Sequence, residues 1–459
     1  MEYAEFLRNK TVRKRSEGFE PAELNPSLFP WQREIVSRAC RKGCYAIFAD
    51  CGMGKTAMQL EWARQVAEHG GGSVLILAPL AVAAQTVEEG GKFGIAVEQV
   101  REMPESPRGV YVTNYEIMDR FDMAAFDGVV LDESSILKSF TGKTKRAILK
   151  ACEQVRYRLS CTATPSPNDL MELLNQGEFL GQMKSNEALS VFFINDQSEA
   201  GKYRLKGHAA NEFWGWVASW CTAISTPSDM GYPDDGYRLP RIDEYDAVVD
   251  VADAADASEG TLFHVPNLNA TQFHREKRRS LRERCEKVAE IVGEMLAEDG
   301  ESVIVWCYLN DESTELKRLM PDAIEVRGSD SAESKERATI AFKSGESRVL
   351  ISKPSIFGFG MNFQACRNEV FCGLDYSFES YYQAVRRVYR FGQERDVRIV
   401  RVVGRDEKQI LDAIQRKADM HEHERDSISS AVCAAGGAFS VSEHKAAIPN
   451  IPFLKEEVA

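Results

Sequence analysis

Short apolar runs alternate with longer stretches of helical periodicity, and the alternation occurs twice along the chain. The first series comprises residues 45–48, 73–79, 110–113, 129–131 and 156–161; the second comprises 302–307, 348–352, 369–372 and 397–403. Strand and helix patterns in this alternation predict parallel sheets flanked by helices, hence an α/β fold in two lobes. Between the series the pattern breaks. A turn-like Tyr232-Pro233-Asp234-Asp235-Gly236 precedes an acidic, alanine-rich stretch at 243–260 with Asp250, Asp253, Asp256 and Glu259, and the boundary is expected near Leu239-Pro240. The predicted organisation is an N-terminal segment (1–24), a first lobe (25–239), a linker (240–270), a second lobe (271–415) and a C-terminal tail (416–459). From 427 onward, residues are small and polar with little periodicity, which reads as a loosely held end.

Composition changes this picture in only a few respects. At 459 residues the chain is long enough for two full cores. A formal net charge of −13 argues against holding nucleic acid by bulk charge and leaves room for a local basic groove. Basic residues gather at 8–15, 275–287 and 386–405; in the second of these Glu276, Glu283 and Glu286 interleave, so a solvated helix face is the expected reading there. Eleven cysteines lack the paired spacing of a zinc site: Cys40 with Cys44, or Cys366 with Cys372, has neither a second pair nor a nearby histidine. With no secretory signal and no apolar stretch of membrane-spanning length, reduced thiols in a soluble cytoplasmic protein are expected.

Three places carry chemistry. After the run 45–48 comes Ala49-Asp50-Cys51-Gly52-Met53-Gly54-Lys55-Thr56, followed by a helical pattern to about 68. Strand, glycine loop and helix suit a phosphate: Gly52, Met53 and Gly54 offer backbone N–H groups, Lys55 reaches the outer phosphates and Thr56 offers a hydroxyl to Mg²⁺. A plain glycine turn is the alternative. Next, the run 129–131 delivers Asp132 and Glu133 to a strand end, where the first could hold the metal and the second orient and deprotonate water. Finally, Arg387 and Arg390 stand one turn apart within Gln383–Gln393 and, on a helix, would share a face. A surface salt bridge or a nucleic-acid stripe is the plain reading of that pair. A tryptophan run, Trp214, Trp216 and Trp220, reads as core more readily than as a base-stacking platform.

In order, these motifs resemble those of the superfamily 2 helicases and translocases, and within them the Snf2-like group, over about residues 28–403. The likeness extends to Thr113-Asn114-Tyr115-Glu116, to Thr162-Ala163-Thr164-Pro165 with Asn168, Leu170, Glu172-Leu173 and Phe179-Leu180, to Gly328-Ser329 with Arg337 and Phe342, and to Gly358-Phe359-Gly360-Met361-Asn362. Three positions depart from the group's pattern: Thr86, Ser134-Ser135 and Tyr376. The resemblance implies two tandem RecA-like lobes with ATP and Mg²⁺ in the cleft between them, Arg387 and Arg390 acting as fingers, and hydrolysis coupled to closure. It further implies that Gln32 reads adenine, that Gly360 and Gln383 lie on the nucleotide side, and that Pro79, Thr113, Asn114, Lys138, Thr162, Thr164 and Asn362 serve nucleic-acid contact or coupling. The function so implied is an ATP-dependent motor on DNA in replication, recombination or repair. An RNA helicase that separates strands, or a nucleotide-switched clamp without turnover, is the alternative.

Overall fold

The computed structural model describes residues 18–250 and 277–434, apart from 81, 106, 196–202 and 358–361. Contacts divide the chain into two compact units, one made of residues up to Tyr237 together with those from Asp419, the other of Arg238–Ala418.

The first unit is built on a seven-stranded sheet of order β3-β4-β2-β5-β6-β1-β9, with every pairing parallel. Its strands are β1 (Cys44–Ala49), β2 (Ser73–Ala78), β3 (Val97–Gln99), β4 (Gly109–Asn114), β5 (Gly128–Asp132), β6 (Tyr157–Thr162) and β9 (Cys221–Ile224). Four of these, β1, β2, β5 and β6, are buried almost throughout, as expected of parallel strands with helices on both faces. A short antiparallel pair, β7 (Phe193–Asn195) and β8 (Tyr203–Leu205), stands apart from the sheet. Trp214, Trp216 and Trp220 lie in the core of this unit beside Phe192 and Phe213, and Gly177 makes room for the Trp216 ring. The tryptophan run is therefore packing, with little ring surface left to stack on a base.

The second unit carries a six-stranded parallel sheet of order β10-β15-β14-β11-β13-β12. These are β10 (Ile242–Val249), β11 (Val303–Cys307), β12 (Ile324–Glu325), β13 (Val349–Ser352), β14 (Asn368–Cys372) and β15 (Val397–Gly404). Each of the nine strands expected from the sequence is present, and β3, β9, β10 and β12 join them.

Three readings of the sequence change. Part of the linker at 240–270 is a strand: β10 pairs with β15 along its whole length, and its acidic side chains meet Arg401, which holds both Glu244 and Asp246. The remainder of that linker from residue 251, and the start of the expected second lobe to residue 276, lie outside the described residues. The supposed tail from 416 opens inside a helix, Lys408–Ala434. Its buried stripe runs Ile410, Ile414, His421, Glu424, Ile428 and Val432, and two polar residues in that stripe hide it from a hydrophobic pattern. Residues 435–459, like 1–17 with their basic cluster, lie outside the described residues.

The third change concerns the basic run at 275–287. Arg282 and Lys287 pair with glutamates on the surface as expected, but Arg284 and Lys277 are buried. Arg284 donates to Glu312 (2.8 Å), to the Ser280 hydroxyl (2.9 Å) and to the Lys277 carbonyl (2.6 Å), with Glu407 at 3.3 Å. A buried guanidinium is tolerable only when its donors are satisfied this fully.

Candidate active site

The glycine loop leaves the C-terminal end of β1 and enters the helix Lys55–Gly70. Gly52 and Gly54 adopt φ of 90° and 70°, a left-handed backbone that costs glycine nothing. Gly54 is also required sterically, since a Cβ there would stand 2.3 Å from the Gln32 side-chain nitrogen. The Asp50 carboxylate accepts from the Cys51 N–H at 2.7 Å and so fixes the start of the loop.

Three strand ends meet here. In the sheet β6 lies between β1 and β5, with Phe48 in register with Thr162 and Asp132 with Cys161. Lys55 Nζ reaches Glu133 Oε1 at 2.7 Å, with both side chains mostly buried. Burial alone would lower the Lys55 pKa, but the Glu133 and Asp132 carboxylates outweigh it and hold the ammonium above its ordinary value. Asp132 is 3% exposed, and burial pushes its carboxyl up to about 6 against the pull of Lys55. The fully buried Gln59 amide and the Glu133 backbone face this carboxyl and favour its charged form. The Asp132 backbone carbonyl accepts from the Tyr115 hydroxyl at 2.8 Å. Glu133 has φ 55°, the single non-glycine residue with positive φ among the described residues, a conformation that costs roughly 1 kcal/mol. Such strain at an acidic residue beside a glycine loop suits a side chain aimed for chemistry.

From Glu133 a polar chain runs into β6 and beyond. The Thr162 hydroxyl donates to Glu133 Oε2 at 3.4 Å and accepts from the Thr164 N–H at 3.1 Å. The helix Glu172–Phe179 steadies the segment after the acid pair: Gln176 bonds the Ser134 carbonyl and the Ser160 hydroxyl, and Asn175 bonds the Leu137 carbonyl. Ser134 and Ser135 are thus buried structural residues, and Thr86 is too, its hydroxyl returning to the Val82 carbonyl.

Several predicted residues stand differently from expectation. Gln32 is buried, its amide oxygen accepting from the Phe29 N–H and its nitrogen donating to the Met53 carbonyl. One end of that amide thus caps its own helix and the other braces the glycine loop. Thr113 is buried with its hydroxyl on the Val100 carbonyl, turned into the sheet edge, while Pro79 and Asn114 are half-buried and Lys138 is exposed.

In the second unit the helix Phe378–Val385 ends before the arginine pair, so Arg387 and Arg390 do not share a helical face. The chain tightens as Arg387 N bonds the Ala384 carbonyl and Val388 N the Val385 carbonyl, both three residues back. The buried Gln393 then holds it down, its amide nitrogen donating to the Gln364 and Cys366 carbonyls. Arg387 is 7% exposed and folds onto Gln383, donating from Nε to its carbonyl and from a terminal nitrogen to its Oε1, each at 2.9 Å. Arg390 is half-buried. Asn362 closes a local turn through the Gln364 N–H. Gly360 lies outside the described residues. Sequence reasoning passed over Gln59, Gln176 and Gln393; amides give no pattern of their own, and only their burial marks them.

Comparison with known proteins covers both sheets. Residues 27–162 match the AAA domain and residues 283–392 the helicase conserved C-terminal domain. A putative protein p41 from Acyrthosiphon pisum secondary endosymbiont phage 1 is 30% identical over 178 residues, 33% of this chain and 39% of that one. A chromodomain-helicase-DNA-binding protein 1-like from Danio rerio is 27% identical over 119 residues, 24% of this chain and 11% of that one. The chain thus spans well under half the length of these curated relatives. Among solved structures, the Sulfolobus solfataricus SWI2/SNF2 ATPase core in complex with dsDNA aligns over 96% of this chain and 98% of its own, at 17% identity and a TM-score of 0.43. With its motifs in order on two parallel sheets, an AAA match on the first and a helicase conserved C-terminal match on the second, the chain is similar in both units to helicase ATPases.

Proposed function

We propose that the protein is an ATP-dependent motor that moves along DNA, and that Lys55, Asp132 and Glu133 with Arg387 and Arg390 carry the hydrolysis. The observation that bears most weight is the Lys55–Glu133 contact of 2.7 Å beside Asp132, at the end of a sheet and the start of a helix. A buried cation and two carboxylates in so small a space are costly unless something else uses them. A triphosphate would use all three. Its outer oxygens compete for Lys55, Gly52–Gly54 offer backbone N–H groups, and Glu133, released from the ammonium, is left to orient and deprotonate the attacking water.

The residues present also fit Mg²⁺. The buried Asp132 carboxylate is an oxygen ligand of the kind that Mg²⁺ takes, and Thr56 sits in the first turn of the helix that follows the glycine loop. Bound there, Mg²⁺ would neutralise charge on the phosphates. Gln32 supports the loop through Met53, and adenine recognition by its amide would require exchanging those bonds. Arg387, which donates to Gln383, would exchange those bonds to act on the phosphoryl group. Exposed Lys138 and the half-buried Pro79, Asn114 and Asn362 are the polymer-side positions, with Thr162 and Thr164 as coupling residues.

The test is steady-state ATP turnover without polymer and with single-stranded DNA, duplex DNA or RNA, each at two salt concentrations. DNA should stimulate turnover, with an apparent affinity that falls steeply as salt rises. Stimulation by RNA alone would overturn the DNA assignment, and an absence of turnover under all conditions would overturn the motor.

A further inference from the structure

The helix Lys408–Ala434 brings a buried carboxylate against the segment that follows β6, and the mechanism above does not use it. Glu424 is 1% exposed; one of its oxygens accepts from the Ser166 hydroxyl, and the other is buried without a hydrogen bond. Ser166 lies two residues beyond Thr164, whose own hydroxyl is buried and unpaired. An unbroken sequence of contacts results: Lys55 to Glu133, Glu133 to Thr162, Thr162 to the Thr164 N–H, and across Pro165 to Ser166 and Glu424. The same helix borders a small cavity with room for about one water, lined by Asp50 at the root of the glycine loop, by Ala163 and Pro165, and by His421, Glu424 and Arg425.

We propose that Glu424 is a positioning residue of the ATPase: through Ser166 it sets the segment 162–166 and thereby reports the state of Glu133 to the C-terminal helix. The inference rests on the motor reading for its nucleotide and on the structure for its path. When phosphate draws Lys55 away, Glu133 changes its bonding, and Thr162 is the residue that bonds it from the neighbouring strand. A shift there has little slack to disappear into, because 162–166 is buried and held at its far end by Glu424. The titratable and charged groups around Glu424 are few. Asp50 and Arg425 share the cavity, His421 is one turn away on the helix, and Glu172, engaged by Asn168, acts on Glu424 from the neighbouring helix. A buried carboxyl with one bonded and one bare oxygen is a poor choice for packing alone and a suitable one for a contact that has two states.

Two readouts test the proposal. In turnover, Glu424→Ala and Ser166→Ala should each lower DNA-stimulated kcat about tenfold, leave KM for ATP within about twofold and leave unstimulated turnover unchanged. The double variant should be no worse than either single one, as expected for residues acting as a unit. Glu424→Gln, which keeps a polar partner for Ser166, should restore most of the stimulation. In hydrogen exchange, a non-hydrolysable ATP analogue should alter protection at 419–428 in the wild type and not in Ser166→Ala. Normal stimulation in Glu424→Ala, or loss of melting temperature in both Glu424 variants with stimulation intact, overturns the proposal and leaves Glu424 a packing residue. Because exchange needs no hydrolysis, a protein that shows the exchange response without turnover would refute the motor and retain the path, and the converse result would refute only the path.

Discussion

In the first unit the charged groups of the site are spent on one another: Lys55 on Glu133, with Asp132 buried at their side. In the second, Arg387 sets two of its donors on Gln383 and its charge acts on the buried Glu369 carboxyl. The first arrangement resembles a spring held by the absence of a competitor, since any polyanion that binds the lysine frees the acid. The second resembles a latch, a neutral amide holding a cation until a stronger acceptor arrives. Opposite charges at close range in a buried place are worth several times more than an amide–guanidinium bond. The two clusters should therefore differ in how readily they change.

The largest effect should come from the first. Glu133→Gln should lower ATP turnover by about 10⁴, with ATP binding retained; fluorescent-nucleotide binding beside single-turnover hydrolysis measures both, and normal hydrolysis in the variant would remove Glu133 from the chemistry. Arg387→Ala should follow, lowering turnover by about 10³ with little change in nucleotide affinity. Gln383→Ala sharpens the contrast. If the amide is only a latch, that variant retains most of its turnover in the same assay, whereas a loss as deep as that of Arg387→Ala would give Gln383 a direct part.

The smallest effect separates the two sheets by acidity. Burial raises Asp132 to about 6 in the first unit and Glu369 to about 8 in the second, the latter bonded by the Trp306 indole N–H with its other oxygen unpaired. A carboxyl whose folded pKa is raised keeps its proton where the unfolded chain has lost it, so its contribution to stability is full at low pH and is lost as pH climbs toward the folded value. For Glu369 that window runs from about 4.5 to about 8, and for Asp132 from 3.8 to about 6. Denaturant unfolding of the wild type against Glu369→Gln should show the wild type losing ground, by at most about 5 kcal/mol, as pH rises across the upper window. A difference flat with pH would mean that Glu369 is ionised throughout.

Much of the first cluster was legible because it is local. Glycines, lysine and threonine are contiguous, and the acid pair directly follows an apolar run, so no tertiary knowledge is needed to place them at strand ends. The second cluster was legible in composition and misread in geometry. Arg387 and Arg390 suggest a helical face, but the helix stops at Val385, and the chain beyond it is tied by Gln393 to carbonyls some 30 residues earlier. Nothing near the arginines encodes that. The C-terminal helix was hidden for a related reason: its stripe passes through His421 and Glu424, so hydrophobicity fades midway although burial does not. Arg284 shows the same limit from the other side, since a charge run looks solvated until Glu312 and Glu407 arrive from distant sequence.

One feature of the first sheet bears on how such a chain can diverge. β6 is paired on both sides, Phe48 to Thr162 on one edge and Asp132 to Cys161 on the other. Loops between these strands are free to lengthen or shorten over generations, because nothing in the register depends on them. A single residue inserted within β6 would instead turn its alternate side chains to the opposite face and carry Thr162 away from Glu133. The sheet thus works as a ruler shared by three segments far apart in sequence, and drift in this lineage should accumulate between its strands while their lengths stay fixed.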